Sequence, residues 1–253
     1  MTEKNKKIKV LLATPTMDGK LEAFYVDSLL QTLPLAASKG YEVQHLFVGY
    51  DAMLPRARND LMKVAIEGKF DNIIFIDADM MWNPDWVIEL IENKLDFVGG
   101  TARKKSDATI DYAIKVEGDI ENPTYFDEDK TLLEVAVVGT GFLKLSRKAM
   151  EAIDKVSKPY TNGKDSARKN KMYFEYSIDE QGELLGEDST LCKKWKDTGG
   201  KCYLHTKMTC GHVGSKLFLG DFPSFYKAVL EARKKEKENP KEKANGQEEA
   251  TTN

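Results

Sequence analysis

The apolar positions of this chain fall into short runs that alternate with longer stretches of helical spacing. Lys7 to Ala13 reads as a first strand and runs into Thr14-Pro15-Thr16. Leu21 to Ser38 carries Tyr25, Leu29, Leu33 and Ala36 at helical intervals, with a kink expected at Pro34 and a stop at Gly40. Tyr41 to Val48 reads as a second strand in which His45 is a packing residue. Asp51 to Gly68 reads as a second helix, with Pro55 in its first turn and an apolar stripe of Ala57, Leu61 and Ala65. Alternation of this kind predicts an α/β protein with strands buried under helices.

The most informative stretch runs from Asn72 to Met80. Ile73-Ile74-Phe75-Ile76 is apolar without alternation, as in a strand covered on both faces, and it leads into Asp77-Ala78-Asp79. Residues i and i+2 of a strand point to the same side, with Cα atoms roughly 6.5–7 Å apart. Two carboxylates there repel unless a cation joins them, and a divalent metal with oxygen ligands is the natural candidate. The plainer alternative is a turn leading into the next helix, where Asn83 and Pro84 supply an N-cap and a first-turn proline.

Further along, Pro84 to Asn93 reads as a helix and Asp96 to Gly100 as a strand, followed by the basic Arg103-Lys104-Lys105. Tyr112 to Val116, Glu134 to Val138, Leu143 to Leu145 and Tyr173 to Ile178 have strand character. Ser146 caps a helix beginning at Arg147. Gly139-Thr140-Gly141 permits close backbone approach to a sugar, or equally a tight bend. Lys158 to Lys171 is polar and basic and is expected to be a loop, either a lid or disordered. Gly186 opens a helix through Trp195 with Glu187 and Asp188 in its first turn; the helix dipole stabilises carboxylates there, and the same place suits a rigid general base. Lys201 to Thr206 reads as a last strand, and Cys210-Gly211-His212-Val213-Gly214 as a loop. A histidine between glycines has little packing purpose there, and joined to Asp77 and Asp79 it makes a mixed nitrogen and oxygen site suited to Mn²⁺. Leu217 to Phe222 is expected to pack back on the core, Phe225 to Lys235 to form a helix, and Glu236 to Asn253 to be disordered. The expected organisation is one domain over residues 1–225 and a helix with a charged tail over residues 226–253.

Composition narrows the classes. With 253 residues, the chain is near the upper size for one hydrophobic core, and 41% hydrophobic with 31% charged residues is ordinary for a globular protein. A net charge of −3 provides no global positive field for nucleic acid or anionic membrane. No apolar run is long enough to span a bilayer, so a cytoplasmic protein is expected. Cys192, Cys202 and Cys210 lack metal-site spacing and are expected to be reduced thiols. The first turn of the second helix, Arg56-Ala57-Arg58-Asn59, places two guanidinium groups where backbone amides already favour an anion, although solvated surface arginines explain the same pattern.

Taken together and in this order, the hydroxyl-bearing loop after the first strand, Ala57-Arg58-Asn59, Asp77-Ala78-Asp79, Gly139-Thr140-Gly141-Phe142, Glu187-Asp188 and His212 resemble the metal-dependent glycosyltransferases of the GT-A fold, over roughly Lys7 to Phe222. Small bacteriophage and large-virus-type members are the most similar. The resemblance implies a Rossmann-like, mixed but mostly parallel sheet with helices on both faces. It implies a nucleoside-diphosphate sugar donor, uridine diphosphate being the commonest carrier, and Mn²⁺ or Mg²⁺ bridging its phosphates. Asp79 and His212 would ligate the metal, with Asp77 contacting it through water or reaching the ribose. Thr14, Thr16 and Arg58 would hold the nucleotide, with Pro15, Arg56, Asn59 and Ala78 in the same donor-binding set. Gly139, Thr140 and Gly141 would lie near sugar and acceptor. Asp188, with Glu187 beside it, would act as base on the acceptor hydroxyl, which suits inversion. The acceptor is a glycan by default. A modified base in phage DNA is the alternative, with Lys104, Lys105, Arg168, Lys169 and Lys171 as phosphate contacts. A sugar nucleotidyltransferase shares the general fold but has a glycine- and arginine-rich loop where this chain has Thr14-Pro15-Thr16-Met17-Asp18. A catalytically inactive nucleotide-sugar-binding module would show a broken metal site or a missing base.

Overall fold

The computed structural model describes residues 7–161 and 169–238. Its first half alternates strand and helix: β1 (Lys9–Pro15), α1 (Ala23–Ser38), β2 (Glu42–Val48), α2 (Leu54–Glu67) and β3 (Asn72–Ile76). β4 (Met80–Met81), α3 (Pro84–Glu92), β5 (Phe97–Ala102), β6 (Ile114–Val116), β7 (Leu132–Val138), β8 (Phe142–Ser146) and α4 (Arg147–Val156) follow. Then come a small hairpin of β9 (Pro159–Thr161) and β10 (Lys169–Lys171), a second of β11 (Ser177–Ile178) and β12 (Leu184–Leu185), and α5 (Glu187–Asp197). β13 (Cys202–Val213), β14 (Leu217–Phe218) and α6 (Phe222–Glu238) complete the described chain.

The central sheet runs β2-β1-β3-β8-β5-β13-β7-β6, with β4 and β14 both pairing with the far end of β13. β1 is parallel to β2 and β3, and β5 to β13; β8 and β7 run against their neighbours. This is a mixed, mostly parallel α/β sheet of Rossmann-like type, with helices on both faces.

The unalternating strands are what this arrangement demands. Leu11 and Ala13 of β1 and Ile73 and Phe75 of β3 face a core closed by α2, α4, α5 and the start of α6. Val10, Leu12, Ile74 and Ile76 face the opposite core, closed by α1 and α3 through Tyr25, Leu29, Val87, Leu90 and Ile91. Every residue of β3 is buried. Ser146 caps α4 by accepting from the Ala149 amide, as its position before the helix suggested.

Several expected elements differ. Tyr173 and Phe174 are buried but belong to no strand, and only Ser177–Ile178 pairs. β13 extends well past Thr206 through a register irregularity between Leu204 and Thr209, so the Cys210–Gly214 stretch is strand rather than loop as far as Val213. α6 begins at Phe222, whose buried ring stacks on Tyr226 and ties the helix to the core. The ends of the expected 158–171 loop pair as β9 and β10; its centre, and the tail from 239 onward, lie outside the described residues.

Lys144 of β8 is 1% exposed, and its amine donates to the carbonyls of Asn93 and Leu95 just past α3. Burial moves this amine from the usual 10.5 down to about 8. Between those values the unfolded chain keeps the proton that the folded chain has lost, so this group makes stability rise with pH across the window. Urea unfolding at pH 8 and pH 10 is expected to show the rise, up to ~3 kcal/mol from this group, in the wild type and not in Lys144→Met.

Candidate functional site

The site forms where β3 ends. Its carboxyl end turns sharply, the Met80 amide bonding the Asp77 carbonyl at 3.1 Å, so that β4 can pair with β13. The turn is tied on three sides: Asp77 N–H to the Gly141 carbonyl, Glu22 N–H to the Ala78 carbonyl, and Val213 N–H to the Asp79 carbonyl, all between 2.8 and 3.0 Å. Gly141 packs closely against this turn. A Cβ would lie 2.6 Å from Met80 Cε and 3.0 Å from Asp77 Oδ2.

Arg58, in the second turn of α2, is 2% exposed and is the largest fully buried side chain. Nη2 contacts both Asp77 oxygens at 2.8 and 3.1 Å, and Nη1 donates to Glu187 Oε1 at 2.9 Å and lies 3.9 Å from Asp188 Oδ1. Burial works against its charge, and Asp77, Asp188 and Glu187 more than offset that. Its Nε has no partner. The guanidinium lies 5.8 Å from the Phe174 ring. Asn59 holds that ring in place: its Nδ2 donates to the Phe174 carbonyl at 3.1 Å and its Oδ1 accepts from the Phe174 amide at 2.8 Å. Arg58 and Asn59, read from sequence as donor contacts, thus face inward.

Asp188 opens α5 beside this cluster. Its side chain is 32% exposed and lines a concave pocket, and Thr140 Oγ1 donates to its Oδ1 at 2.5 Å. Loss of solvation pushes the carboxyl above its usual range, with Glu187 and Asp77 adding to the shift and Arg58 and Thr140 opposing it. Glu187, by contrast, is bound to Arg58 and is only 15% exposed. A raised, partly accessible carboxylate with a fixed hydroxyl partner is what a general base requires.

His212 reaches the site through strand pairing. Its register opposite Met80 sets it next to Asp79, as expected from the sequence, but from a strand rather than from the expected loop. Nδ1 lies 3.0 Å from the Arg103 carbonyl and donates to it, so Nε2 presents a lone pair in the neutral ring and a second N–H in the protonated one. Nε2 faces Asp79 Oδ1 across 3.6 Å, too far for a hydrogen bond, and Oδ1 is buried without a partner. A lone pair and an orphaned carboxylate oxygen facing one another fit a cation between them. A carboxylate oxygen and an imidazole nitrogen give two of the ligands a borderline divalent ion such as Mn²⁺ would take, with phosphates and water left to complete the sphere. Asp77 does not join them: Arg58 engages both its oxygens, and among the described residues no group of three ligating side chains is gathered. The other Asp79 oxygen lies 2.5 Å from Lys105 Nζ. Burial works to raise the Asp79 carboxyl, and His212 and Lys105 outweigh it and keep it below the usual range.

The remaining expected contacts are distributed differently. Thr14 is fully buried and bonds Tyr25 and His45, so His45 is part of a polar network under β1. Pro15 is buried at the end of β1, and Thr16 donates to the Lys20 carbonyl at 2.9 Å. Arg56 is paired with Asp51 at 2.7 Å and stays partly exposed. Lys104 and Lys171, expected as phosphate contacts, lie on Asp111 and Asp154. Arg168 lies outside the described residues.

Asp77, Thr101, Lys104, Thr140, Asp188 and His212 share one pocket of about 130 Å³. Cavities of roughly 150 Å³ hold one six-membered ring. No family model matches the chain, and no curated protein matches it. Among solved structures, the chain is similar to one titled a "Putative Glucose-1-Phosphate Thymidylyltransferase" from Bacillus anthracis, in complex with a sucrose, at 11% identity and a TM-score of 0.40. The match covers 87% of this chain and 95% of that one. So distant a likeness carries no argument about chemistry, and the site stands on its own geometry. No described helix is long and apolar enough to cross a membrane.

Removing the Arg58 charge leaves the carboxylates of Asp77, Glu187 and Asp188 without their shared cation. Arg58→Met is expected to cost ~3–5 kcal/mol in denaturant unfolding, and Arg58→Lys to recover only part because it cannot fork.

Proposed function

We propose that the chain is a glycosyltransferase that moves a sugar from a nucleoside-diphosphate sugar, a uridine diphosphate sugar being the first to try, to an acceptor hydroxyl. The observation that carries this reading is the position of Asp188. It is a carboxylate of raised basicity on a ring-sized pocket that His212 also lines, with Asp79 Oδ1 unpartnered beside that imidazole.

Asp188 accepts the proton of the attacking hydroxyl as the new glycosidic bond forms, and Thr140 keeps its carboxylate aimed into the pocket. Arg58 holds Asp77 and Glu187 so that neither competes for that proton. Asp79 and His212 would hold Mn²⁺ or Mg²⁺, which supplies charge stabilisation to the departing diphosphate. Gly139 lies close to Asp188, where a Cβ would come within 3.8 Å of Oδ2. A glycan hydroxyl is the acceptor this reading favours, since Lys104, Lys105 and Lys171 are each already on a carboxylate.

Transfer rate measured against pH tests it. Asp188→Asn is expected to lose roughly 10²–10⁴-fold in turnover with donor affinity little changed. The wild-type rate is expected to fall as acid protonates Asp188, at a pH above that of an ordinary carboxylate, because only the ionised form accepts a proton. Wild-type turnover in Asp188→Asn would overturn the assignment.

A further inference from the structure

The residues between β5 and β6 act on Asp79 twice. The Arg103 carbonyl fixes the His212 ring, leaving Nε2 toward Asp79 Oδ1, and two residues on, Lys105 Nζ lies 2.5 Å from Asp79 Oδ2. The lysine stem is seated as well. It crosses the turn between β13 and β14, packed so closely that a Cβ on Gly214 would come within 3.0 Å of Lys105 Cδ. The strap that carries it is anchored by the Arg103–Tyr112 bridge and by the Lys104 amide on the Asp111 carbonyl at 2.8 Å. Lys104, next in sequence, takes a different carboxylate, Asp111. Lys105 therefore delivers one positive charge to the carboxylate whose other oxygen is left open toward His212.

We infer that Lys105 is a built-in counter-cation of Asp79 that competes with the divalent ion for this carboxylate and gives way when the ion and its phosphates arrive. The inference rests on the metal-assisted reading of the site. Its physical basis is simple. A cation binding at Asp79 meets both a carboxylate already partly neutralised and a like charge a few ångströms away. Lys105 is 34% exposed, so its ammonium can leave into solvent at little cost, as a half-exposed ion pair is worth little by itself. The arrangement keeps the Asp79 carboxylate turned toward His212 in the absence of donor, and it weakens the binding of free metal relative to metal carried with a diphosphate.

The test is Mn²⁺ titration of the full chain, followed by the electron paramagnetic resonance signal of free Mn²⁺, without donor or acceptor. Lys105→Met and Lys105→Gln are expected to bind Mn²⁺ on the order of tenfold more tightly than wild type. Lys104→Met removes the same charge from the adjacent residue and measures the general charge effect, expected to be much smaller. Asp79→Ala is expected to abolish binding, and circular dichroism checks that each variant is folded. Unchanged or weaker Mn²⁺ binding in both Lys105 variants, with Asp79→Ala still defective, would overturn the inference and leave the metal reading standing. Binding that is indifferent to Asp79→Ala, or absent from every variant, would overturn both. A gain in Lys104→Met equal to that in Lys105→Met would reduce the effect to bulk electrostatics and also overturn the inference.

Discussion

One buried guanidinium organises this site. Arg58 comes from α2, Asp77 from the end of β3, and Glu187 and Asp188 from the start of α5, segments up to 130 residues apart in sequence. Taking an arginine out of water is costly unless carboxylates with good geometry surround it, and here Asp77 and Glu187 supply short contacts with Asp188 in the second rank. The same network places the carboxylates. Without the cation they would repel one another across the carboxyl edge of the sheet; with it, Asp77 and Glu187 are paired and oriented, and Asp188, with its carboxyl raised, lines the pocket without a short contact to the guanidinium. Asn59 extends the arrangement by fixing Phe174, whose ring lies beside the guanidinium.

A second constraint is the register of β13. Strand pairing is exact to the residue, because a slip by one turns every side chain to the other face. Pairing His212 with Met80 brings the imidazole to Asp79, and the Arg103 carbonyl then settles which nitrogen faces it. The distance between the two side chains is thereby set by backbone geometry: His212 arrives on a strand, and Asp79 on a turn tied to that strand by the Val213 amide. Rigid placement of this kind is what positions reacting groups at small entropic cost.

Much of the fold was legible in the sequence, for local reasons. The unalternating run of β3, the Asn83-Pro84 start of α3, the Ser146 cap and the glycines ending helices each depend on a few neighbouring residues, and all appear where expected. The place of Asp188 in the first turn of a helix was also visible, since the helix start after Gly186 fixes it. What was hidden depends on distant partners. Nothing in Arg56-Ala57-Arg58-Asn59 says that the second arginine turns inward to carboxylates while the first remains with Asp51. The two-residue β4 has no periodicity to detect, and without it His212 could not be recognised as a strand residue. Tyr173 and Phe174 look like strand residues because burial selects aromatics in either setting. Arg103-Lys104-Lys105 reads as one basic patch, yet each side chain goes elsewhere: Arg103 over Phe218, Lys104 to Asp111, Lys105 to Asp79.

The central claim is a reaction class, and product identity tests it most directly. Purified protein would be offered a panel of nucleotide sugars with simple glycoside acceptors, with Mn²⁺ or with chelator, and separately a nucleoside triphosphate with a sugar 1-phosphate. The expected result is nucleoside diphosphate released from one donor, only with the metal and in step with acceptor glycosylation, and no pyrophosphate from the second mixture. Pyrophosphate release there, with no diphosphate from any donor, would contradict the account and assign the pocket to a sugar nucleotidyltransferase.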